Sequence, residues 1–359
     1  MLNSTAVPFN LGDVASTNAH WFTLSNRCNI RCKYCFNYLD QNNEDMPADL
    51  AVGILDYVIN ERIKLKVIDT PLRIIFFGGE PTLNPSAFCA MLDYLSQREE
   101  KVFLHLMTNG IMNNKLLARL IHEKVYFQIS FDGVLGNLRL SKEGNDNVMS
   151  HTIESIQQVV AAGLPVHVRA TIHHANVNSM HELVRFAAKE QITSLAFAPI
   201  CQFGEVCSNG IQQASVTDFV ANLESALALG KELNVNIRVH ESMYLQNHNN
   251  KISIPYVWLP DGNLAVTITY ASSQLPGADT IIIGKYDSKN KTIEYDQDKI
   301  TKMKQNFLKN RDDSCRDCNI LPLCKGINNF SAYATDTYRK QRDEYFCEIS
   351  RRILQKIIV

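Results

Sequence analysis

Between residues 20 and 200 the chain alternates short apolar runs with longer stretches whose apolar residues recur at helical spacing. The runs His20–Ser25, Arg73–Phe77, Val102–Met107, Tyr126–Phe131, Val166–Ile172 and Ser194–Pro199 are rich in Ile, Val, Phe and Thr. Most are continuous rather than alternating, as expected of parallel strands covered on a face. Between them Pro47–Ile63, Pro85–Gln97, Asn113–His122, Ser150–Ala162 and Ser179–Lys189 read as helices, and Gly163 sits just past the fourth, where a C′ glycine belongs. Six strand–helix repeats without hairpin turns predict right-handed βα units and a parallel sheet curling toward a barrel. The fold class is therefore α/β, a partial (β/α)6 barrel. In such sheets chemistry gathers at the C-terminal ends of the strands.

The character changes after residue 200. Val216–Leu233 is another helical pattern, and Lys251–Leu259 with Asn263–Tyr270 flank the turn Pro260-Asp261-Gly262 as a β-hairpin. A lysine-rich helical stretch, a polar loop holding three cysteines and a terminal helix over Gln341–Ile358 follow. We divide the protein into an N-terminal segment (1–19), the partial barrel (20–234) and a C-terminal domain (235–359).

The 359 residues include 36 Lys+Arg against 37 Asp+Glu, so no basic face argues for nucleic acid. The N-terminus lacks the basic and apolar regions of a signal peptide, and no run approaches the ~18 apolar residues of a spanning helix. A cytoplasmic protein with no membrane partner is expected. Ten cysteines in such a protein point to metal ligands or reactive thiols rather than disulfides. Three fall within eight residues (Cys28, Cys32, Cys35), and four lie near the C-terminus (Cys315, Cys318, Cys324, Cys347).

The first group follows the first strand. Three thiolates at this spacing wrap a [4Fe–4S] cube and leave one iron open, since the cube normally takes four ligands. Structural zinc is the alternative, but it wants a fourth ligand and none is near in sequence. The CxxxCxxC motif, with aromatic Tyr34 before the third cysteine, resembles that of the radical S-adenosylmethionine (SAM) enzymes. Later strand ends add to the resemblance. Gly78-Gly79-Glu80-Pro81 looks like the family's GGEP motif, in which the strand edge and the acid receive the amino group of SAM. Asn109, in Thr108-Asn109-Gly110, is a weaker match. Ser130-Phe131-Asp132-Gly133 resembles the segment that contacts the SAM ribose and carboxylate. Arg139 is the candidate partner of the SAM carboxylate and Arg169 its competitor; an ordinary surface ion pair is the alternative for either.

The resemblance implies that the open iron chelates the amino and carboxylate groups of SAM. One electron then cleaves the sulfonium bond, and the resulting 5′-deoxyadenosyl radical abstracts a hydrogen atom from an unactivated carbon. Cys28, Cys32 and Cys35 are the catalytic cluster ligands in this reading. An external one-electron reductant of flavodoxin or ferredoxin type is implied.

Cys315-x2-Cys318-x5-Cys324, with Cys347 23 residues later, supplies four thiolates, the full set for a closed cube, with tetrahedral zinc as the alternative. The spacing resembles the second auxiliary [4Fe–4S] cluster of the SPASM extension found in peptide-modifying radical SAM enzymes. Thr267 and Asn328 stand where the first auxiliary cluster would have cysteines, so one auxiliary cluster is expected. Ile268 replaces the acid expected of a sulfatase-maturing enzyme. The resemblance points to a maturase acting on a ribosomally made precursor peptide, forming a C–C or C–heteroatom cross-link between side groups. Peptide epimerisation is the first enzymatic alternative, with sulfatase maturation and small-molecule radical SAM chemistry behind it. An iron–sulfur carrier or zinc-stabilised binding protein is the non-enzymatic one, which the GGEP and S-x-D-G segments disfavour. With only about 20 residues before the first strand, leader recognition would fall to the barrel edge, the C-terminal domain or a separate leader-binding protein. Cys201 and Cys207 are candidate hydrogen-atom donors or loop thiols, Cys89 is read as core, and His173 and His174 as cavity-lining or loop-capping. Asp261, Tyr256 and Tyr270 are available as bases near the hairpin.

Overall fold

The computed structural model describes residues 13–35, 37, 43–67, 69–133, 135–142, 147–202, 204–239, 255–268, 270–315, 318–320 and 339–358. In sequence order the first elements are β1 (Ala19–Ser25), β2 (Ile30–Cys32), α1 (Ala48–Lys64), β3 (Leu72–Gly78), α2 (Pro85–Ser96), β4 (Val102–Thr108), α3 (Asn114–His122) and β5 (Tyr126–Ser130). Then come β6 (Arg139–Ser141), α4 (Asn147–Ala161), β7 (Val166–Ile172), α5 (Met180–Lys189), β8 (Ser194–Pro199), α6 (Glu205–Ser208), α7 (Val216–Glu232) and β9 (Asn236–Val239). The C-terminal part adds β10 (Tyr256–Trp258), β11 (Asn263–Ala265), β12 (Ile282–Asp287), β13 (Thr292–Tyr295), α8 (Gln297–Cys315) and α9 (Arg339–Ile358). The fold is mixed α/β built on a large parallel sheet, as the alternation of runs and helices predicts.

The protein forms two compact units, each discontinuous in sequence. The first comprises residues 1–27, 40–103 and 247–339. Its strands run β13-β12-β11-β10-β1-β3, with β1 parallel to both β3 and β10 and the remaining pairs antiparallel. Asn84 holds the entry to α2. Its side chain accepts from the Ala87 amide and donates to the carbonyls of Leu24 and Met46, so the helix cap also ties down the end of β1. Phe76 and Phe88 stack between β3 and α2, with ring centroids 4.0 Å apart and both side chains fully buried.

The second unit comprises residues 28–39, 104–246 and 340–359. Strands β4, β5, β7, β8 and β9 are parallel neighbours here, in that order. Along β7 the side chains alternate. Val166, Val168, Ala170 and Ile172 are buried, while Arg169 and Thr171 are half-buried and share the other face with His167. His167 bonds through Nδ1 to the Ser194 hydroxyl at 2.7 Å, and burial pushes its pKa down to about 4, so the ring is neutral in the folded protein.

Two elements differ from the predicted ones. The hairpin strand β11 ends at Ala265, short of the predicted Tyr270, because Val266 leaves it to donate its amide to the Ile281 carbonyl, while residues 251–254 of the other predicted strand lie outside the described residues. The pair β2 and β6, antiparallel with Cys32 opposite Arg139, has no counterpart in the periodicity.

Candidate active site

The first unit holds the GGEP segment at the end of β3. The Gly79 amide donates to the Ser25 carbonyl (2.9 Å) and the Glu80 amide to the Arg27 carbonyl (2.7 Å). A β-carbon on Gly78 would lie 2.1 Å from the Ser25 oxygen, and one on Gly79 would lie 2.3 Å from the Arg27 oxygen. Both glycines therefore serve close approach of the protein's own backbone, at the segment leading into the first cysteine. Glu80 is fully buried, and its Oε1 accepts from the Thr82 amide and hydroxyl.

In the second unit the three N-terminal thiols come together. Cys28 is buried with Ile30 and Val148, and Cys32, Cys35 and Ile111 pack against that group. Pairing of β2 with β6 shapes the loop, and three further bonds pin it. The Lys33 amide donates to the Leu138 carbonyl, the Glu205 amide to the Cys35 carbonyl, and the Asn209 side chain to the Lys33 carbonyl, all at 2.8–2.9 Å. Periodicity gives no hint of the clamp from α6, because its two contacts, the Glu205 amide and the Asn209 side chain, fall on backbone carbonyls far away in sequence. Burial pushes the thiols of Cys32 and Cys35 up, and for Cys35 the neighbouring Cys32 adds to it. Such thiols stay protonated until a cation reverses the balance, as iron does when it takes thiolate ligands. No three His, Cys, Asp or Glu side chains among the described residues converge as a single-ion site.

Around the thiols lies a buried polar shell. The Tyr34 hydroxyl donates to Asp132 Oδ2 and accepts from Arg139 Nη1 at 3.2 Å, while Asp132 Oδ1 accepts from the Thr171 amide at 2.8 Å. Desolvation pushes the Asp132 carboxyl up, and Arg139 opposes it. Burial works against the charge on Arg139, and the Asp132 carboxylate favours it. Ser130 stands opposite Arg169 in the β5–β7 register. Asn109, after β4, donates to Asn29 Oδ1 at 2.7 Å and to the Cys28 sulfur at 3.7 Å. Sequence reasoning passed over Asn29; its place inside the cysteine motif was the available signal.

Of the second cysteine group, Cys318 and Cys347 are half-buried, whereas Cys324 and the side chain of Cys315 lie outside the described residues, as does Asn328. Thr267 is buried, as are Tyr256 and Tyr270, while Asp261 bonds to Asn263 and Ser273. Cys201 is half-buried after β8, Cys207 is exposed on α6, and Cys89 is half-buried on α2. His173 is buried, its Nδ1 accepting from the Ala175 amide and its ring 6.1 Å from that of Tyr34. His174 is exposed.

Part of the chain is similar to known proteins. A model of the radical SAM superfamily matches residues 22–187. The PqqA peptide cyclase of Methylobacterium nodulans is 29% identical over 171 residues, covering 46% of this chain and 41% of that protein. The GTP 3′,8-cyclase of Helicobacter pylori is 27% identical over 179 residues, covering 47% of this chain and 52% of that protein. The chain spans between 31% and 59% of the length of the first curated relatives it matches. Among solved structures, anSMEcpe with bound AdoMet and a Cp18Cys peptide has the same fold, with a TM-score of 0.70 at 18% identity over 94% of this chain and 98% of that one. Residues 22–187 are thus a domain of the radical SAM superfamily.

Proposed function

We propose that the protein is a peptide maturase that removes a hydrogen atom from a ribosomally made precursor and joins two of its side groups by a C–C or C–heteroatom cross-link. The observation that carries the radical reading is the packing of half-buried Cys32 and Cys35 against the group around buried Cys28, within the matched domain. Peptide as substrate is supported by the fold shared with the peptide-bound anSMEcpe and by the PqqA peptide cyclase relative.

In this reading Cys28, Cys32 and Cys35 hold a [4Fe–4S] cluster, and Cys315, Cys318, Cys324 and Cys347 hold one auxiliary cluster in the domain over 235–359. The N-terminal cluster with SAM supplies one-electron cleavage of the sulfonium bond and hydrogen-atom abstraction. The protein's own residues prepare for that chemistry. Gly78 and Gly79 bring the β3 end against the strand that leads into the cysteine loop, and Glu80 offers a carboxylate to an ammonium group. Asp132 and Ser130 offer acceptors to ribose hydroxyls, and Arg139 or Arg169 offers a guanidinium to a carboxylate. Burial of the thiols and of the Tyr34–Asp132–Arg139 group keeps water from the reacting centre. A cross-link costs the peptide two hydrogens: one leaves as an atom to the 5′-deoxyadenosyl radical, the other as a proton and an electron for which the auxiliary cluster would be the acceptor. The reductant of flavodoxin or ferredoxin type, a separate leader-binding protein and a cytoplasmic location belong to the same proposal. Among the described residues no helix is long and apolar enough to cross a membrane.

The GTP 3′,8-cyclase relative favours a second reading, a nucleotide or other small-molecule substrate. Anaerobically reconstituted protein, given SAM and dithionite, should release 5′-deoxyadenosine, and the Cys28/Cys32/Cys35→Ala variant should not. Candidate precursor peptides should then lose two mass units in the presence of the wild type. A peptide unchanged in mass but altered in residue stereochemistry would replace cross-linking by epimerisation. Turnover of GTP with no peptide modified would favour the second reading.

A further inference from the structure

We propose that Asn109 sets the reduction potential of the cluster held by Cys28, Cys32 and Cys35, through a hydrogen bond from its side-group amide to the Cys28 sulfur. The inference rests on the radical SAM reading above and assigns Asn109 a task toward the cluster rather than toward SAM.

The network around Asn109 fixes which way its amide points. Its Oδ1 accepts from the Ile111 amide at 2.8 Å. The Asn29 side chain is oriented independently, because its Nδ2 donates to the Ile111 carbonyl at 2.8 Å, which turns Asn29 Oδ1 toward Asn109. Asn109 Nδ2 meets that oxygen at 2.7 Å and the Cys28 sulfur at 3.7 Å. Flipping the Asn109 amide would set oxygen against Asn29 Oδ1 and two donors against each other at Ile111, breaking two bonds at once. The amide nitrogen, not the oxygen, therefore faces the sulfur. The backbone is held as well: the Asn109 carbonyl accepts from the Thr152 hydroxyl at 2.9 Å. Cys28 and Asn109 are each only 6% exposed, so water does not compete for the sulfur.

A donor aimed at a ligating sulfur takes up part of its negative charge. A reduced cluster carries one more negative charge than an oxidised one, so the donor favours reduction and raises the potential. In Asn109→Leu the shape is nearly kept and the donor is lost. In Asn109→Asp the acceptor for Ile111 survives, but an anionic oxygen faces the sulfur in place of the N–H.

The test is a potentiometric titration of reconstituted full-length protein, following the electron paramagnetic resonance signal that changes on addition of SAM. The midpoint should fall in Asn109→Leu and fall further in Asn109→Asp, at unchanged iron content. Midpoints equal to the wild type in variants that hold the cluster would overturn the inference and leave the radical SAM reading intact. Should the variants fail to load, wild type labelled with 15N at the asparagine amide decides: a 15N hyperfine coupling to the reduced cluster is expected, and its absence overturns the assignment. Wild type that takes up no iron–sulfur cluster at all would overturn the parent reading together with this one.

Discussion

A single hydroxyl, that of Tyr34, stands between a carboxylate and a guanidinium that are both almost wholly buried. Neither charge is solvated by water, so each depends on the other and on the phenol between them. Tyr34→Phe keeps the ring that packs with Ile200 and Val206 and deletes only the shared atom. It should cost about 1–3 kcal/mol, the range for leaving buried polar groups without a partner. A urea titration of the metal-free protein should show the midpoint falling with an unchanged slope. A midpoint equal to the wild type would mean that Asp132 and Arg139 close directly on each other without loss. The sequence pointed to Tyr34, Asp132 and Arg139 one at a time through the family motifs. It could not show that they bond to one another, because that contact joins residues about a hundred positions apart through side chains alone. The structure places Arg139 opposite Cys32 on β6, with its side chain turned to Tyr34.

At the scale of elements, legibility followed the strength of the local pattern. Strands β7 and β8 run over the predicted residues, since long β-branched and apolar runs leave little choice of state. Strands β2 and β6 have three residues each and no periodicity to read; tertiary pairing with each other makes them strands. The GGEP turn was legible as a motif, but its glycines turn out to be demanded by the protein's own carbonyls. That yields a graded expectation. Gly163 and Gly79 both sit in tight backbone, yet a β-carbon on Gly163 meets nothing within 4 Å, whereas one on Gly79 collides with three backbone atoms of Asn26 and Arg27. Gly163→Ala should cost only about 1–2 kcal/mol for its left-handed conformation. Gly79→Ala has to break the β1–β3 end and should cost several times as much or prevent soluble expression. Equal urea midpoints for the two variants would show that the Arg27 carbonyl moves aside freely.

For the molecule as a whole, the residues that grip the cysteine loop come from stretches far apart in sequence. Asn109 and Ile111 follow β4, Leu138 and Arg139 lie at β6, and Glu205 and Asn209 belong to α6 and its end. All of these lie in the second compact unit, as do the three thiols. In the metal-free protein burial keeps Cys32 and Cys35 protonated, and no metal–thiolate bond offsets the cost of ordering the loop. Cluster uptake converts the thiols to ligated thiolates and adds its binding free energy to the folded state of whatever holds them. Amide hydrogen exchange followed by mass spectrometry, with and without the reconstituted cluster, should therefore show protection gained at residues 28–35, 109–111, 138–141 and 205–209. The antiparallel strands β12 and β13, which carry no ligand and belong to the first unit, should exchange at unchanged rates. The same experiment on Cys35→Ala should show none of this gain. Protection spread evenly over both units would mean that metal binding acts on the whole protein at once. In that case the clamp from β6 and α6 would have no special share in holding the site.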